Sequence, residues 1–299
     1  MKVLNFGSLN QDYTYRVSHI VQEGETISSS SLEIYPGGKG LNQSVALSLA
    51  GAKTFHAGLI GNDGLWLREY CDRYGIDTSF IGLAEERTGN AIIQVDDKGN
   101  NSIILFSGAN HAVSVELVEK TLENFSEGDL LLLQNEINAS AYIIKKAKEK
   151  GMVIVVNPSP YTEEIAKWNV EQTDLLIMNE IEAFQMTGEQ TPMIILDKLT
   201  ARYPETSIVL TLGDKGAYFA DKEKRVYQRA LDIIPVDTTG AGDTFTGYFI
   251  KAFFLGCESP ERSLEIATYA AAMATLREGA AVSIPAAAEV DGFMKKRGG

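Results

Sequence analysis

In the run Gly240-Ala241-Gly242-Asp243, two glycines flank an alanine and a carboxylate follows at once. Glycine lets a backbone approach a ligand closely. Downstream, Phe245, Tyr248, Phe249, Ala252 and Phe253 recur at the period of an amphipathic helix. The start of such a helix offers unpaired N–H groups and the positive end of its dipole, a seat for an anion. Asp243 then falls in the first turn. It can act there as a base beside a phosphate, or only complement the dipole, just as Asp237 and the threonines after it can only cap. A cap needs one glycine; the second favours anion chemistry. The β-branched pair Ile233-Ile234 is expected to be the strand that leads into this turn.

A second glycine cluster, Gly37-Gly38-Lys39-Gly40-Leu41-Asn42, opens another helix and puts Lys39 and Asn42 on its first turn. Asn10 and Asp12 follow the first strand. Amides and carboxylates fixed at strand ends suit the hydroxyls of a sugar, because each buried hydroxyl must find a partner or cost free energy. Other chemistries lack their residues. There is no G-x-x-x-x-G-K-[ST] and no G-x-S-x-G, and Phe245 stands where a dinucleotide fingerprint needs a small residue. His19, His56 and His111 lack metal-ligand spacing, and Cys71 and Cys257 form no C-x-x-C, so both are expected to be ordinary semi-buried thiols.

The elements that must position these groups alternate. Apolar runs of strand length occur at 3–6, 54–60, 130–133, 153–156, 175–178 and 208–210, separated by helical stretches at 40–50, 115–124, 139–150, 162–168, 180–187 and 192–203. Strands apolar throughout, alternating with helices, predict a doubly wound α/β sandwich around a mainly parallel sheet. Polar residues end several strands: Gln134, Asn135 and Glu136, then Asn157, Asn179 and Thr211, with Gly213 close behind. They should line one cleft at the carboxyl ends. Stretches 13–20, 26–34, 89–96 and 101–107 are rich in β-branched and aromatic residues and pair into two hairpins. These are expected to form a small antiparallel β lid, from about 13–34 and 89–107, on a single domain spanning 1–299. Residues 285–297 suggest a closing helix with a frayed Gly298-Gly299 end.

Asp and Glu number 40 against 27 Lys and Arg, a net charge of -13. That balance argues against nucleic acid or an anionic membrane as partner. No signal-like or membrane-length apolar run occurs, so a cytoplasmic protein is expected.

Seven segments, GSLNQD (7–12), GGKGLNQSVALSLAGA (37–52), NPSP (157–160), MNEIEAF (178–184), TLGDKGA (211–217), DTTGAGDTFTG (237–247) and REGAAVSIP (277–285), resemble in order the motifs of the ribokinase-like (PfkB) carbohydrate kinases. The resemblance covers essentially the whole chain. It implies a kinase that transfers the γ-phosphate of ATP to the 5-hydroxyl of D-ribose, with Mg2+ and K+ as ions and a homodimer joined through the lid. Asp243 matches the catalytic base, and the N–H groups of Gly240, Ala241 and Gly242 match the anion hole. Asn10, Asp12, Gly38, Lys39, Asn42 and Glu136 match sugar-binding positions. Asn179 and Glu182 match residues that organise magnesium and phosphates, mostly through water, while Thr211 and Gly213 match the nucleotide site. Asp237, Thr239, Ala274, Arg277, Gly279 and Ser283 match the monovalent-cation loop. Thr246 and Ile137-Asn138 depart from the family pattern, and the lid sequence is its own. Another pentose, a ketohexose or a nucleoside therefore stays open as acceptor, and a sugar-binding regulator without catalysis is the alternative of another class.

Overall fold

Successive residues of the central strands feed opposite cores. Leu130 and Leu132 pack into one apolar cluster, Leu131 and Leu133 into the other. This is why the strands are apolar without alternation. The computed structural model describes residues 1–297, so the expected frayed end at Gly298-Gly299 lies outside the described residues.

The main sheet holds β1 (Val3–Phe6), β4 (Thr54–Ile60), β5 (Asp77–Leu83), β8 (Leu130–Gln134), β9 (Val153–Asn157), β10 (Leu175–Asn179), β11 (Ser207–Thr211), β12 (Ala217–Ala220) and β13 (Arg225–Gln228). Their order is β13-β12-β11-β10-β9-β8-β1-β4-β5, parallel from β11 to β5, with β12 and β13 antiparallel at one edge. β1 lies between β4 and β8. The winding reverses there, which opens a crevice at the carboxyl ends.

Helices cover both faces. With β1 to β13 between them run α1 (Lys39–Leu49), α2 (Leu65–Arg73), α3 (Val115–Leu122), α4 (Ser140–Glu149), α5 (Glu180–Thr187), α6 (Pro192–Arg202), α7 (Ala241–Ile250), α8 (Pro260–Ala274) and α9 (Ala287–Lys296). α1 and α7 come unusually close. A Cβ at Gly247 would stand 2.5 Å from the Ala46 Cβ, so only glycine permits the contact.

The second sheet has the order β3-β2-β6-β7, from β2 (Asn10–Arg16), β3 (Ser31–Gly37), β6 (Gly89–Val95) and β7 (Asn101–Phe106). Both hairpins are antiparallel, as expected, and a parallel β2–β6 pairing joins them. Residues 17–30 form a connection rather than strand.

Four further local expectations are corrected. Residues 162–168 form a 3-10 turn, Glu163–Lys167, with only Ile165 of that turn buried, too short an apolar face for an α-helix. Ile233 and Ile234 are not in a strand: the sheet already ends at β13, and the pair runs along its rim with Ile234 89% exposed. The apolar stripe of α7 continues past Ile250 as a π-type turn, Lys251–Leu255. Cys71 is fully buried and Cys257 exposed, and they are unpaired.

Candidate active site

Asp243 is the third residue of α7 and is 7% exposed. Its carboxylate is held from α1: Asn42 Nδ2 donates to Oδ2 at 3.0 Å and Gln43 Nε2 to Oδ1 at 2.9 Å. The close α1–α7 crossing at Gly247 brings these amides within reach. At the turn before α7, Gly240 takes φ 76°, and a Cβ there would lie 2.9 Å from the Ala280 Cα. Glycine is thus required for the backbone angle and for the approach. Of the expected anion-hole donors, Ala241 N–H gives a long bond of 3.3 Å to the Thr238 carbonyl. Among the described residues nothing accepts from the N–H groups of Gly240 or Gly242.

On one side of Asp243 lie the expected sugar-binding positions. Glu136 accepts from Lys39 N–H at 2.8 Å and from the Ser8 hydroxyl, which in turn accepts from Gly40 N–H. Burial pushes the Glu136 carboxyl up despite Lys39 and Ser8. For Lys39, burial would lower the ammonium, but Asp243, Glu136 and Glu182 overcome it and raise its pKa. Asn10 is fixed by Asn110, whose Nδ2 donates to Asn10 Oδ1 at 2.7 Å. Asp12 differs. Burial, then the charge of Glu136, raises it to about 7, and no hydrogen bond offsets them. Gly38, φ 90°, turns the chain from β3 into α1.

On the other side is a cavity of about 340 Å³ lined by Thr211, Gly213, Ile233, Ala241, Gly242 and Phe245, among others. Its walls are mainly apolar, and Ala241 and Gly242 of the glycine turn form part of them. Asn179 and Glu182 stand at the start of α5 as a capping box: Asn179 Oδ1 accepts from the N–H of Ile181 and Glu182, and Glu182 returns a bond to Asn179 N–H. Ser159 donates to the other Glu182 oxygen. Both carboxylate oxygens are therefore occupied by protein donors.

Asp237 bridges the expected cation-loop segments. Its Oδ1 accepts from Thr239 N–H and hydroxyl, at 2.9 and 2.7 Å, and its Oδ2 from Gly279 N–H at 2.9 Å. Burial opposes its charge, but these donors hold its pKa below the ordinary value. Ser283, fully buried, donates to the Ala280 carbonyl, and Ala274 accepts from Arg277 N–H. The Arg277 side chain departs from the expected set, since it turns outward to Glu289.

The chain matches the pfkB family carbohydrate kinases over residues 1–287. It belongs to that family. Ribokinase of Haemophilus influenzae is 33% identical over 97% of each chain. Deoxyribokinase of Salmonella typhi is 27% identical over 98% of this chain and 99% of its own. The structure of Arabidopsis thaliana ribokinase complexed with ribose and ATP superposes with a TM-score of 0.88 at 29% identity, covering 98% of both chains. The sequence did not single out Ser8, Gln43 or Asn110, while Gln134 and Asn157, expected at the cleft, bond to Gln43 beneath it. The available signal was Asn42-Gln43-Ser44, three polar residues in succession on a helix flanked by apolar ones. Asn135, expected in the cleft, instead donates to the Pro160 carbonyl and Thr162.

Proposed function

We propose that this chain is an ATP-dependent kinase that phosphorylates the 5-hydroxyl of D-ribose to give ribose 5-phosphate. The observation that carries the reading is the position of Asp243, buried beside the polar cluster at Asp12, Lys39 and Glu136 and next in sequence to Ala241 and Gly242, which line the cavity. A sugar hydroxyl beside Asp243 gives up its proton to the carboxylate as it attacks the terminal phosphoryl group. Asn42 and Gln43 orient that carboxylate, and the glycine-turn N–H groups stabilise the charge on the group in flight. Asn10, Asp12, Gly38, Lys39 and Glu136 hold the sugar; Thr211 and Gly213 border the adenine nucleotide. No helix among the described residues is long and apolar enough to cross a membrane, and ATP use fits the cytoplasmic location expected from the sequence.

Magnesium fits as a water-bridged ion: Asn179 and Glu182, both committed to capping α5, would order its waters while it neutralises phosphate charge. The potassium loop offers one carboxylate (Asp237), one buried hydroxyl (Ser283) and the carbonyls of Thr239, Ala274, Arg277 and Gly279. A set of hard oxygens suits an alkali cation. Potassium should raise turnover where sodium does not, at fixed ionic strength with tetramethylammonium as the inert control. Loss of that activation in Asp237→Ala would support the site, and equal rates in all three salts would remove it.

Release of ADP with ribose, deoxyribose, other pentoses, fructose and nucleosides as acceptors tests the main reading. Preference for deoxyribose would move the assignment toward the deoxyribokinase relative. No ADP with any acceptor would leave a sugar-binding regulator.

The second sheet acts as the lid of a single catalytic domain and as the seam of a homodimer. Register aligns Ile34, Tyr13, Ile92 and Ile104 in one row across all four strands. Ile34, Ile92 and Ile104 are 49, 41 and 61% exposed. Strand side chains alternate, so this row lies on the face opposite Asp12 and is not covered by sugar. An apolar row of this kind calls for a partner surface. Wild-type protein is expected to show a dimer mass by light scattering, and Ile104→Asp a monomer; a monomeric wild type at micromolar concentration overturns the assembly.

A further inference from the structure

Beneath Asp243 runs a chain of buried amides that sugar and nucleotide cannot reach. Gln43 Nε2 donates to Asp243 Oδ1 and to Asn157 Oδ1, each at 2.9 Å. Gln43 Oε1 accepts from Gln134 Nε2 at 2.7 Å, and the second hydrogen of that amide goes to Asn5 Oδ1 at 2.9 Å. Asn5 Nδ2 gives its two hydrogens to the Gly40 carbonyl and to Ser44 Oγ. Ser44 Oγ lies 2.7 Å from His56 Nδ1, and His56 Nε2 lies 3.2 Å from the Gly7 carbonyl. Gln43, Gln134, Ser44, His56 and Asn5 are each 0% exposed.

The bonds can point only one way. The Gly7 carbonyl accepts, so His56 carries its proton on Nε2 and Nδ1 accepts the Ser44 hydroxyl. Ser44 then accepts from Asn5, whose Oδ1 is left to accept from Gln134. Gln134 must present its NH2 to Gln43 Oε1, which turns the Gln43 NH2 toward Asp243. Complete burial holds the histidine neutral, with its pKa at about 4, so this direction persists across the working range of pH. Each amide is fixed by the one behind it, and a flip anywhere would set donor against donor or acceptor against acceptor in a dry interior.

We propose that Gln43 is a positioning residue for the base, and that Gln134, Asn5, Ser44 and neutral His56 form the relay that fixes its orientation. The inference rests on Asp243 being the base of the reaction proposed above. Gln43 touches neither substrate, and its N–H stabilises the ionised form of Asp243. The charged groups that face Asp243 are Lys39 from α1 and Glu136 after β8, with Glu182 of α5 beyond Lys39; none of them touches Gln43.

Gln43→Met keeps the length of the side chain and removes the donor. Turnover is expected to fall by about ten- to a hundredfold, the usual effect of losing a hydrogen bond to a charged group. KM for sugar and for ATP should change by less than about threefold. Ser44→Ala cuts the relay three links behind Gln43 without touching Asp243 and should lower kcat by a smaller factor, again with both KM values changed by less than about threefold. If Gln43→Met does not fold, the kcat-against-KM split of Ser44→Ala decides. Unchanged kcat, or equal losses in kcat and both KM values, overturn the proposal. A wild type without kinase activity on any acceptor would instead overturn the function on which it rests.

Discussion

Asp243→Asn is expected to lose about 10²- to 10⁴-fold in turnover, the usual contribution of a general base, while binding of sugar and nucleotide stays close to wild type. Both carboxylate oxygens of Asp243 accept an amide N–H, from Asn42 and from Gln43. An asparagine keeps the shape but must aim its own NH2 at one of those donors. It therefore cannot take the proton, and it also disturbs the orientation of Asn42 or Gln43. Calorimetric titration separates binding from single-turnover chemistry. Retention of more than about a tenth of wild-type turnover would exclude Asp243 as the base.

The second large effect is at Asp12. Asp12→Asn should weaken ribose binding by about ten- to a hundredfold, because a charge-assisted bond to a hydroxyl is lost, and should leave ATP binding nearly unchanged. The same change should stabilise the sugar-free protein in alkali. The folded pKa of about 7 lies above the unfolded value of 3.8. The folded state therefore binds a proton that the unfolded state releases, and stability from this group is lost as pH rises through the folded pKa. The asparagine has no such loss. Its advantage in Tm over wild type should widen from about pH 4 to about pH 7 and level off above that. Wild-type affinity for ribose should rise as pH passes through about 7 and Asp12 ionises, and the trend should vanish in the variant. Equal losses for sugar and ATP would make Asp12 structural.

Apolar patterning made the central sheet legible, because β1, β8, β9, β10 and β11 are buried on both sides and their sequences say so. β5 and β13 escaped for the opposite reason: each is an edge strand with a mixed pattern, exposed at Asp77 and Tyr227. Ile233-Ile234 misled because β-branched residues suit a cavity rim as well as a ladder. The glycine motifs located Asp243, Lys39 and Asn42, since close approach leaves a mark in residue type. The orientation of Asp243 left only the polar run Asn42-Gln43-Ser44. It depends on Gln43 and Gln134, whose partners lie 200 and 129 positions away; no local spacing encodes such pairings. Arg277 shows the limit of motif matching, for its backbone can belong to the cation loop while its side chain pairs with Glu289.

The contact between α1 and α7 also has a kinetic side. Asn42 and Gln43 are 201 and 200 residues from the carboxylate they hold. Closing so long a stretch of chain is among the slowest contacts a fold makes. As the protein leaves the ribosome, the lid hairpins, β1, β4 and β8 emerge well before Asp243 does. Until α7 arrives, the amides of Asn42 and Gln43 have no carboxylate to meet. Nascent chains stalled before residue 240 should thus already have the sugar-facing half without the power to phosphorylate.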